Sequence, residues 1–463
     1  MAEDSHLQPL AAAFARFGLP VAVLDLESTG GHFHQGRITE IAVLRFENGQ
    51  VSRHEWLVNP QQPIPAFIRE LTGISDDMVA DAPPFARIAP ELLPLLRGAL
   101  VVAHNSRFDY TFLRHEFQRA GLEFAAPALC TVQLSRRLYP QFHKHNLDSI
   151  IERCGIPTGT RHRAMADVEA LCGFLMHSLQ EKGAEAWENQ CRALMNPKML
   201  PARLPEPLAQ QLYALPDSWG VLVWLDAAGQ ARAVEACERA YSEAAALLHA
   251  KKVPYYAQSA AAVRFLPALG GLHALWLKAQ AMQEYRILPS ENQRTFCTVQ
   301  FVPEEHGALQ ARIVPLTNGS HARRPCGLFL HKQAAKRALA EWAQTHSLCP
   351  DTLNILPTNH AKGVPCPVQA VGRCDGACRS AEGIERQNQT IRRFAERLPV
   401  ADWGRATELE ITETDPLSGQ SITLRCAGGA LALPDGRWYF DELLPKILKA
   451  KLKQGREAVR VID

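Results

Sequence analysis

The strongest constraint on this chain is a set of four carboxylates and one histidine attached to apolar runs near its start. In VAVLDLES, Asp25 and Glu27 stand two residues apart at the end of a branched, apolar segment. Side chains alternate along a strand, so both carboxylates fall on one face. In ALVVAHNSRFD, Asp109 follows a second apolar run, and in RHRAMADVEAL, His162 stands five residues before Asp167 at a helix start. An acidic pair alone ends many strands. Several carboxylates arriving from strand ends and a helix start are a different case. Two divalent cations need oxygen ligands that converge without neutralising partners, and such a cluster is costly without metal.

The surrounding sequence alternates strand and helix signals over the first 180 or so residues. ITEIAVLRF and HEWLVN read as further strands; YTFLRHEFQRAG, HNLDSIIERCG and ADVEALCGFLMHSLQEK read as helices, each closing at glycine or polar residues. This predicts an α/β domain over residues 1–185. A proline-punctuated linker with one short helix is expected at 186–215, where NPKMLPARLPEPLAQQLYALPD falls. A compact α/β region follows at 216–300, with a strand pair (GVLVWLD, QARAVEA) and Ala-rich helices. Beyond about residue 292 a hairpin is expected (FCTVQFVPE into ALQARIVPL), and the C-terminal region, residues 301–463, is expected to go on with a helix at AAKRALAEWAQTH, a cysteine segment, more strands and a basic amphipathic helix.

DLESTG, AHNSRFD and HRAMAD resemble the three motifs of the DEDDh, or DnaQ-like (DNA polymerase III epsilon-like), 3'-5' exonucleases. LTGISDDMV and NLDSII extend the likeness over about residues 18–180. Ser28 replaces the more usual threonine of D-x-E-T-T-G without touching a ligand. The resemblance implies an RNase H-like fold, a mixed sheet flanked by helices. It also implies that Asp25, Glu27, Asp109 and Asp167 hold two Mg²⁺ or Mn²⁺ ions and that His162 is the general base. The chemistry suits in-line hydrolysis of a 3'-terminal phosphodiester with release of nucleoside monophosphates. A histidine of ordinary pKa, about 6.5, can take a proton from water near neutral pH. His104 and Asn105 are expected either to contact substrate or to cap a turn. Thr29 and Gly30 either let backbone approach the terminal nucleotide or form a plain strand-to-turn corner.

From LPDSWGVLVWLD onwards the chain is similar to the UvrC excision nucleases and their shorter relative Cho. That resemblance implies a GIY-YIG nuclease fold, but the cutting residues are absent. Gly220-Val221-Leu222 and Ala233-Val234-Glu235 replace the tyrosine motifs, Tyr241 and Glu243 stand near the expected basic positions, and Lys278 replaces the metal-binding glutamate. A degenerate, catalytically dead GIY-YIG α/β domain is therefore expected, followed by a small cysteine-containing C-terminal region. There PCPVQAVGRCDGAC is similar to the cysteine signature of UvrC and Cho, and Cys349 from HSLCP would make a fourth thiol beside Cys366, Cys374 and Cys378. Four thiolates suit a 4Fe-4S cluster or Zn²⁺, with reduced structural thiols as the alternative.

The chain carries 12 cysteines, most of them scattered singly, as reduced thiols of the cytosol would be. Its start, MAEDSH, lacks the basic region of a signal peptide, and Arg97 interrupts the most apolar stretch, LLPLLRGALVVA. A cytoplasmic protein without membrane contact is expected. The net charge of +2 conceals a slightly acidic first part and a slightly basic remainder, weak support for a nucleic-acid partner. DNA is the preferred substrate because UvrC and Cho act in DNA repair, and a polymerase or repair complex is a candidate partner. Two alternatives are an RNA-processing 3'-5' exoribonuclease and a metal-thiolate DNA-binding module with a vestigial nuclease.

Overall fold

In this computed structural model the described residues are 5–159, 161–289, 296–304, 307–322, 325–355, 368, 376, 380–395, 398–399, 408–454 and 459–462. The chain divides into two compact units. The first comprises Met1–Ala233, Cys237–Phe265 and Pro416–Gly419; the second comprises Val234–Ala236, Leu266–Asp415 and Gln420–Asp463.

The first unit is organised by β1 (Val21–Ser28), whose valines and leucines suit a strand buried on both faces. It lies at the centre of a five-stranded sheet with β2 (Ile38–Glu47), β3 (Gln50–Leu57), β4 (Leu100–Ala103) and β5 (Ala128–Cys130), in the order β3-β2-β1-β4-β5. The β1–β2 and β2–β3 pairs are antiparallel, whereas β1–β4 and β4–β5 are parallel. Parallel neighbours require a crossover, and helix Arg107–Arg119 supplies it between β4 and β5.

Strand alternation sorts the two faces. Val21 and Val23 pack with Leu44, Val102, Phe14, Trp187 and, from helix Ala164–Lys182, Val168 and Leu171. Ala22, Leu24 and Leu26 pack on the opposite side with Leu92 and Leu96 of helix Phe85–Leu96 and with Phe112 and Phe117. Each such leucine or phenylalanine stabilises the fold by about 1.5–3 kcal/mol through burial. Asp25 and Glu27 share parity with Val21 and Val23, which turns them towards the helix that carries Asp167. The sheet is the mixed sheet flanked by helices expected from the sequence.

β6 (Gly220–Leu225), also in this unit, lies between β7 (Ala231–Cys237) and β8 (Ala262–Pro267), of which Val234–Ala236 and Leu266–Pro267 are assigned to the second unit. Leu222, Trp224, Tyr241 and Ala244 share a core with Leu208 and Leu212 of helix Glu206–Tyr213, the short helix expected among the prolines, and with Ala125.

In the second unit, β9 (Phe296–Pro303), β10 (Leu309–Leu316) and β12 (Cys326–Phe329) form an antiparallel sheet of order β10-β9-β12, and the expected hairpin is β9–β10. A six-stranded antiparallel sheet follows the order β11-β16-β15-β14-β13-β17, with β11 (His321–Ala322), β13 (Glu408–Thr414), β14 (Ser421–Ala427), β15 (Ala430–Ala432), β16 (Trp438–Tyr439) and β17 (Val459–Ile462). Two buried charged groups brace this unit. Lys278 pairs with Asp441 at 3.0 Å and Glu235 at 3.8 Å, and the Tyr439 hydroxyl donates to Asp441 at 3.1 Å. Glu413 accepts the Leu272 and His273 backbone N–H groups at the start of helix Gly271–Glu284 and pairs with Lys451 at 3.2 Å.

Removing one partner of a buried pair leaves the other charge uncompensated, which costs about 3–5 kcal/mol. Lys278→Met should therefore lower the stability read by urea titration by that order, and Lys278→Met with Asp441→Leu should recover most of it. No recovery in the double variant would show that Lys278 acts through something other than Asp441.

Candidate active site

One small cleft gathers the acidic residues. Asp25 and Glu27 from the end of β1, Asp109 from the first turn of helix Arg107–Arg119, and Asp167 with His162 from the start of helix Ala164–Lys182 all line a cavity of about 210 Å³. Ligand atoms of Glu27, His162 and Asp167 lie within 4.8 Å of one another. His104 and Asn105 line the same cleft, whereas Thr29 and Gly30 stand outside its lining.

The hydrogen bonds give these four residues local work. Thr29 Oγ1 accepts the Arg37 backbone N–H at 3.0 Å and the Gln62 amide at 2.7 Å, which ties down the loop after β1. Gly30 takes a φ of +148, where a side chain would be strained. Asn105 adopts a φ of +71, a left-handed conformation that asparagine tolerates, and its carbonyl accepts the Phe108 N–H at the turn into the helix. His104 Nδ1 shares a hydrogen bond of 2.9 Å with Thr131 Oγ1. Burial lowers the His104 pKa to about 4, so its ring is neutral near pH 7.

Three residues that sequence reasoning missed hold the site together. Glu40 of β2 lies opposite Glu27 in the sheet register and is fully buried. The Arg163 guanidinium grips its carboxylate with contacts of 2.6, 2.9 and 3.1 Å, and the Ala164 backbone N–H donates to it at 2.8 Å. Glu40 thus caps the helix from another strand, satisfying an N–H that the helix itself leaves unpaired. That cap fixes the direction in which Asp167 enters the cleft. Arg161 pairs with Asp167 and, at 2.8 Å, with Asp148. The signals were present, a glutamate inside ITEIAV and arginines on both sides of His162, but neither spacing nor composition says that they meet.

Electrostatics mark the cluster as short of positive charge. Burial, then the Glu40 and Asp109 carboxylates, push Glu27 from its ordinary 4.5 up to about 8. Burial raises Asp109 from 3.8 to about 7, and burial with the Asp109 and Glu27 charges raises Asp25 well above the usual range. Arg161 opposes the rise at Asp25 and Glu27 without cancelling it. Hard carboxylate oxygens that resist ionisation together are a donor set suited to Mg²⁺ or Mn²⁺. Among the described residues, Glu27, His162 and Asp167 are the acidic and histidine side chains close enough to share an ion, and Asp25 and Asp109 line the same cleft.

The cysteine reading falls mostly elsewhere. Cys366, Cys374 and Cys378 lie outside the described residues. Cys349 is buried, and its backbone N–H donates to Gln387 at 3.1 Å. The positions expected to have lost nuclease function hold a buried Leu222, a buried Tyr241 whose hydroxyl donates to the Lys198 carbonyl at 3.1 Å, and the paired Lys278.

Comparison with known proteins matches two stretches of the chain. Residues 22–175 match the RNase T exonuclease family, and residues 301–397 match the middle domain of the UvrC/Cho excinucleases. The chain thus joins a DnaQ-like exonuclease domain, of a kind that uses two divalent metal ions, to a UvrC-like module. Over 163 residues it is 39% identical to the 3'-5' exonuclease DinG of Bacillus subtilis, covering 35% of this chain and 17% of that protein. Over 187 residues it is 34% identical to a PolC-type DNA polymerase III of Caldanaerobacter subterraneus, covering 40% and 13% respectively. The chain therefore spans less than a fifth of the length of these relatives. A solved structure of exonuclease X with 5'-overhanging duplex DNA is 27% identical, covering 37% of this chain and 99% of that one, with a TM-score of 0.31.

The raised carboxyl pKa values give a signed expectation. Between about pH 4 and 8 the folded state holds protons on Glu27 and Asp109 that the unfolded chain has released, so stability falls as pH rises through that window. Metal-free protein should melt at a lower temperature at pH 8 than at pH 5.5. Asp109→Asn should flatten the difference, and Mg²⁺ should restore stability most at pH 8. A melting temperature that rises with pH in chelator would contradict this.

Proposed function

We propose that this protein is a divalent-metal-dependent 3'-5' exonuclease that hydrolyses the terminal phosphodiester of DNA and releases nucleoside monophosphates. The observation that carries the reading is the convergence of Asp25, Glu27, Asp109, Asp167 and His162 on one cleft, in which burial, joined by like charge at Asp25 and Glu27, raises the Asp25, Glu27 and Asp109 carboxyls.

Asp25, Glu27, Asp109 and Asp167 would hold two Mg²⁺ or Mn²⁺ ions. When bound, these supply an activated water and neutralise charge developing on the phosphate and on the leaving 3'-oxygen. His162, at the mouth of the helix that presents Asp167, takes the proton from the attacking water. The Glu40–Arg163 clamp keeps His162 and Asp167 in register with β1. His104 and Asn105 position the terminal nucleotide from the cleft wall, and Thr29 and Gly30 shape the loop beside it.

DNA is favoured over RNA by the relatives, a DNA polymerase type and a 3'-5' exonuclease, and by the UvrC/Cho match. The degenerate nuclease region that begins near Trp219, without cutting residues, would contribute to substrate recognition in DNA repair or replication. Cys349, Cys366, Cys374 and Cys378 bind a 4Fe-4S cluster or Zn²⁺ that stabilises the C-terminal region. Visible absorbance or bound zinc in anaerobically purified protein checks that assignment.

Matched 3'-labelled DNA and RNA strands with Mg²⁺ test the main reading. DNA should be degraded in preference to RNA, Asp25→Asn should abolish the activity, and His162→Ala should lower kcat by about 10²–10⁴-fold with little change in KM. Preferential digestion of RNA would reassign the substrate, and full activity in Asp25→Asn would refute the site.

A further inference from the structure

A second, larger concavity of about 530 Å³ adjoins the acidic cleft, and Asn105 lines both. The acidic cleft is smaller than the about 300–1,000 Å³ of ordinary ligand pockets, so it accommodates the reacting end of a strand and no more. The rest of a polymeric substrate has to leave across an adjoining surface. The larger groove offers that surface with the opposite charge to the cleft: Arg107, Arg114 and Arg239 line it. The acid on its wall, Asp217, is turned to another use, since its two carboxylate oxygens accept the Ser242 N–H at 2.9 Å and the Ser242 hydroxyl at 2.8 Å.

The groove is built partly by chain beyond the exonuclease match at residues 22–175. The Asn196 N–H donates to the Ala128 carbonyl at 2.8 Å, and the Ala128 N–H donates to the Pro197 carbonyl at 3.3 Å. The 196–197 segment is therefore fastened along β5 as part of the wall. Arg114 donates to the Asp217 carbonyl, tying helix Arg107–Arg119 to the segment that leads into β6. Arg239 stands exposed just before helix Ala240–Leu248, whose Tyr241 is anchored to the Lys198 carbonyl. These links place an arginine from the degenerate region beside the exonuclease cleft within one compact unit.

We propose that this groove binds the sugar-phosphate backbone of the single strand immediately 5' of the nucleotide being removed, with Arg107 and Arg239 contacting its phosphates. The proposal rests on the reading of the acidic cleft as a 3'-exonuclease site, and what it adds is that Arg239, outside the exonuclease match at residues 22–175, contributes to the path of the strand. Guanidinium groups are suited to phosphate oxygens, and ordered arginines along a groove track a backbone without reading its bases.

The test separates binding from chemistry. Fluorescence anisotropy of a 5'-labelled single-stranded oligonucleotide is measured in EDTA, where no turnover occurs, for the wild-type protein and for Arg107→Glu and Arg239→Glu. Hydrolysis of the p-nitrophenyl ester of thymidine 5'-monophosphate, too short to reach the groove, is measured with Mg²⁺. Each variant should bind the oligonucleotide at least several-fold more weakly, with the slope of log K against log salt reduced by about 0.7 for each phosphate that is no longer neutralised. Ester hydrolysis should be unchanged. Wild-type affinity and salt slope in both variants would overturn the groove assignment, as would loss of ester hydrolysis together with binding, which would mean that the arginines support the cleft itself. A wild-type protein that binds the oligonucleotide but hydrolyses neither ester nor strand would instead overturn the exonuclease reading and leave the groove standing as a strand-binding site.

Discussion

The structure of the first unit depends on how one strand end tolerates its own charge. Asp25 and Glu27 leave the core at the end of β1 into a space already occupied by Asp109 and Asp167, and beneath them Glu40 adds a further buried carboxylate. Arg163 and the Ala164 N–H neutralise Glu40, and Arg161 partly offsets the rest. Burial, with the remaining like charge added at Asp25 and Glu27, raises those two carboxyls, and burial raises Asp109. A fold held together by apolar packing on both faces of its sheet can carry that cost, and divalent cations bound there would relieve it. The same charge that strains the metal-free protein is the charge a metal site needs.

Much of this was legible beforehand for a physical reason. The strands β1, β2, β4, β6 and β9, and the helices after β4 and at Asp167, announce themselves through apolar period and end signals. The acidic residues sit at fixed offsets from those runs, so VAVLDLES, ALVVAHNSRFD and RHRAMAD carry the acidic residues that line the cleft. Glu40 and Arg163 were not legible in that way. They are 123 residues apart and meet only because β2 pairs with β1 while helix Ala164–Lys182 packs across both. A glutamate inside a strand and an arginine before a helix each have an ordinary surface explanation until the register is known.

The same contrast applies to the remainder of the chain. Departure from the GIY-YIG pattern that the resemblance to UvrC and Cho implies could be read from the sequence, because it concerns which residue type stands at a position. What Lys278 does instead could not, since its partner Asp441 lies 163 residues away on the segment after β16. A cation stands where the resemblance places a metal-binding carboxylate, and it is satisfied by a buried aspartate rather than left open for a ligand. That substitution turns a position associated with catalysis into one that supports packing. It leaves the exonuclease domain as the proposed centre of chemistry, with Arg239 the nearby contribution of the degenerate region.

The proposed reaction is removal of nucleotides from a 3'-end by the carboxylate cluster and His162 with the help of divalent ions. Its most direct measurement is a time course on a 5'-labelled single strand, with and without Mg²⁺, resolved nucleotide by nucleotide and with the small product identified. Stepwise shortening from the 3'-end, release of nucleoside 5'-monophosphates and no reaction in EDTA are expected. Internal cleavage, release of the 5'-label as a mononucleotide, or undiminished shortening in EDTA would contradict the claim.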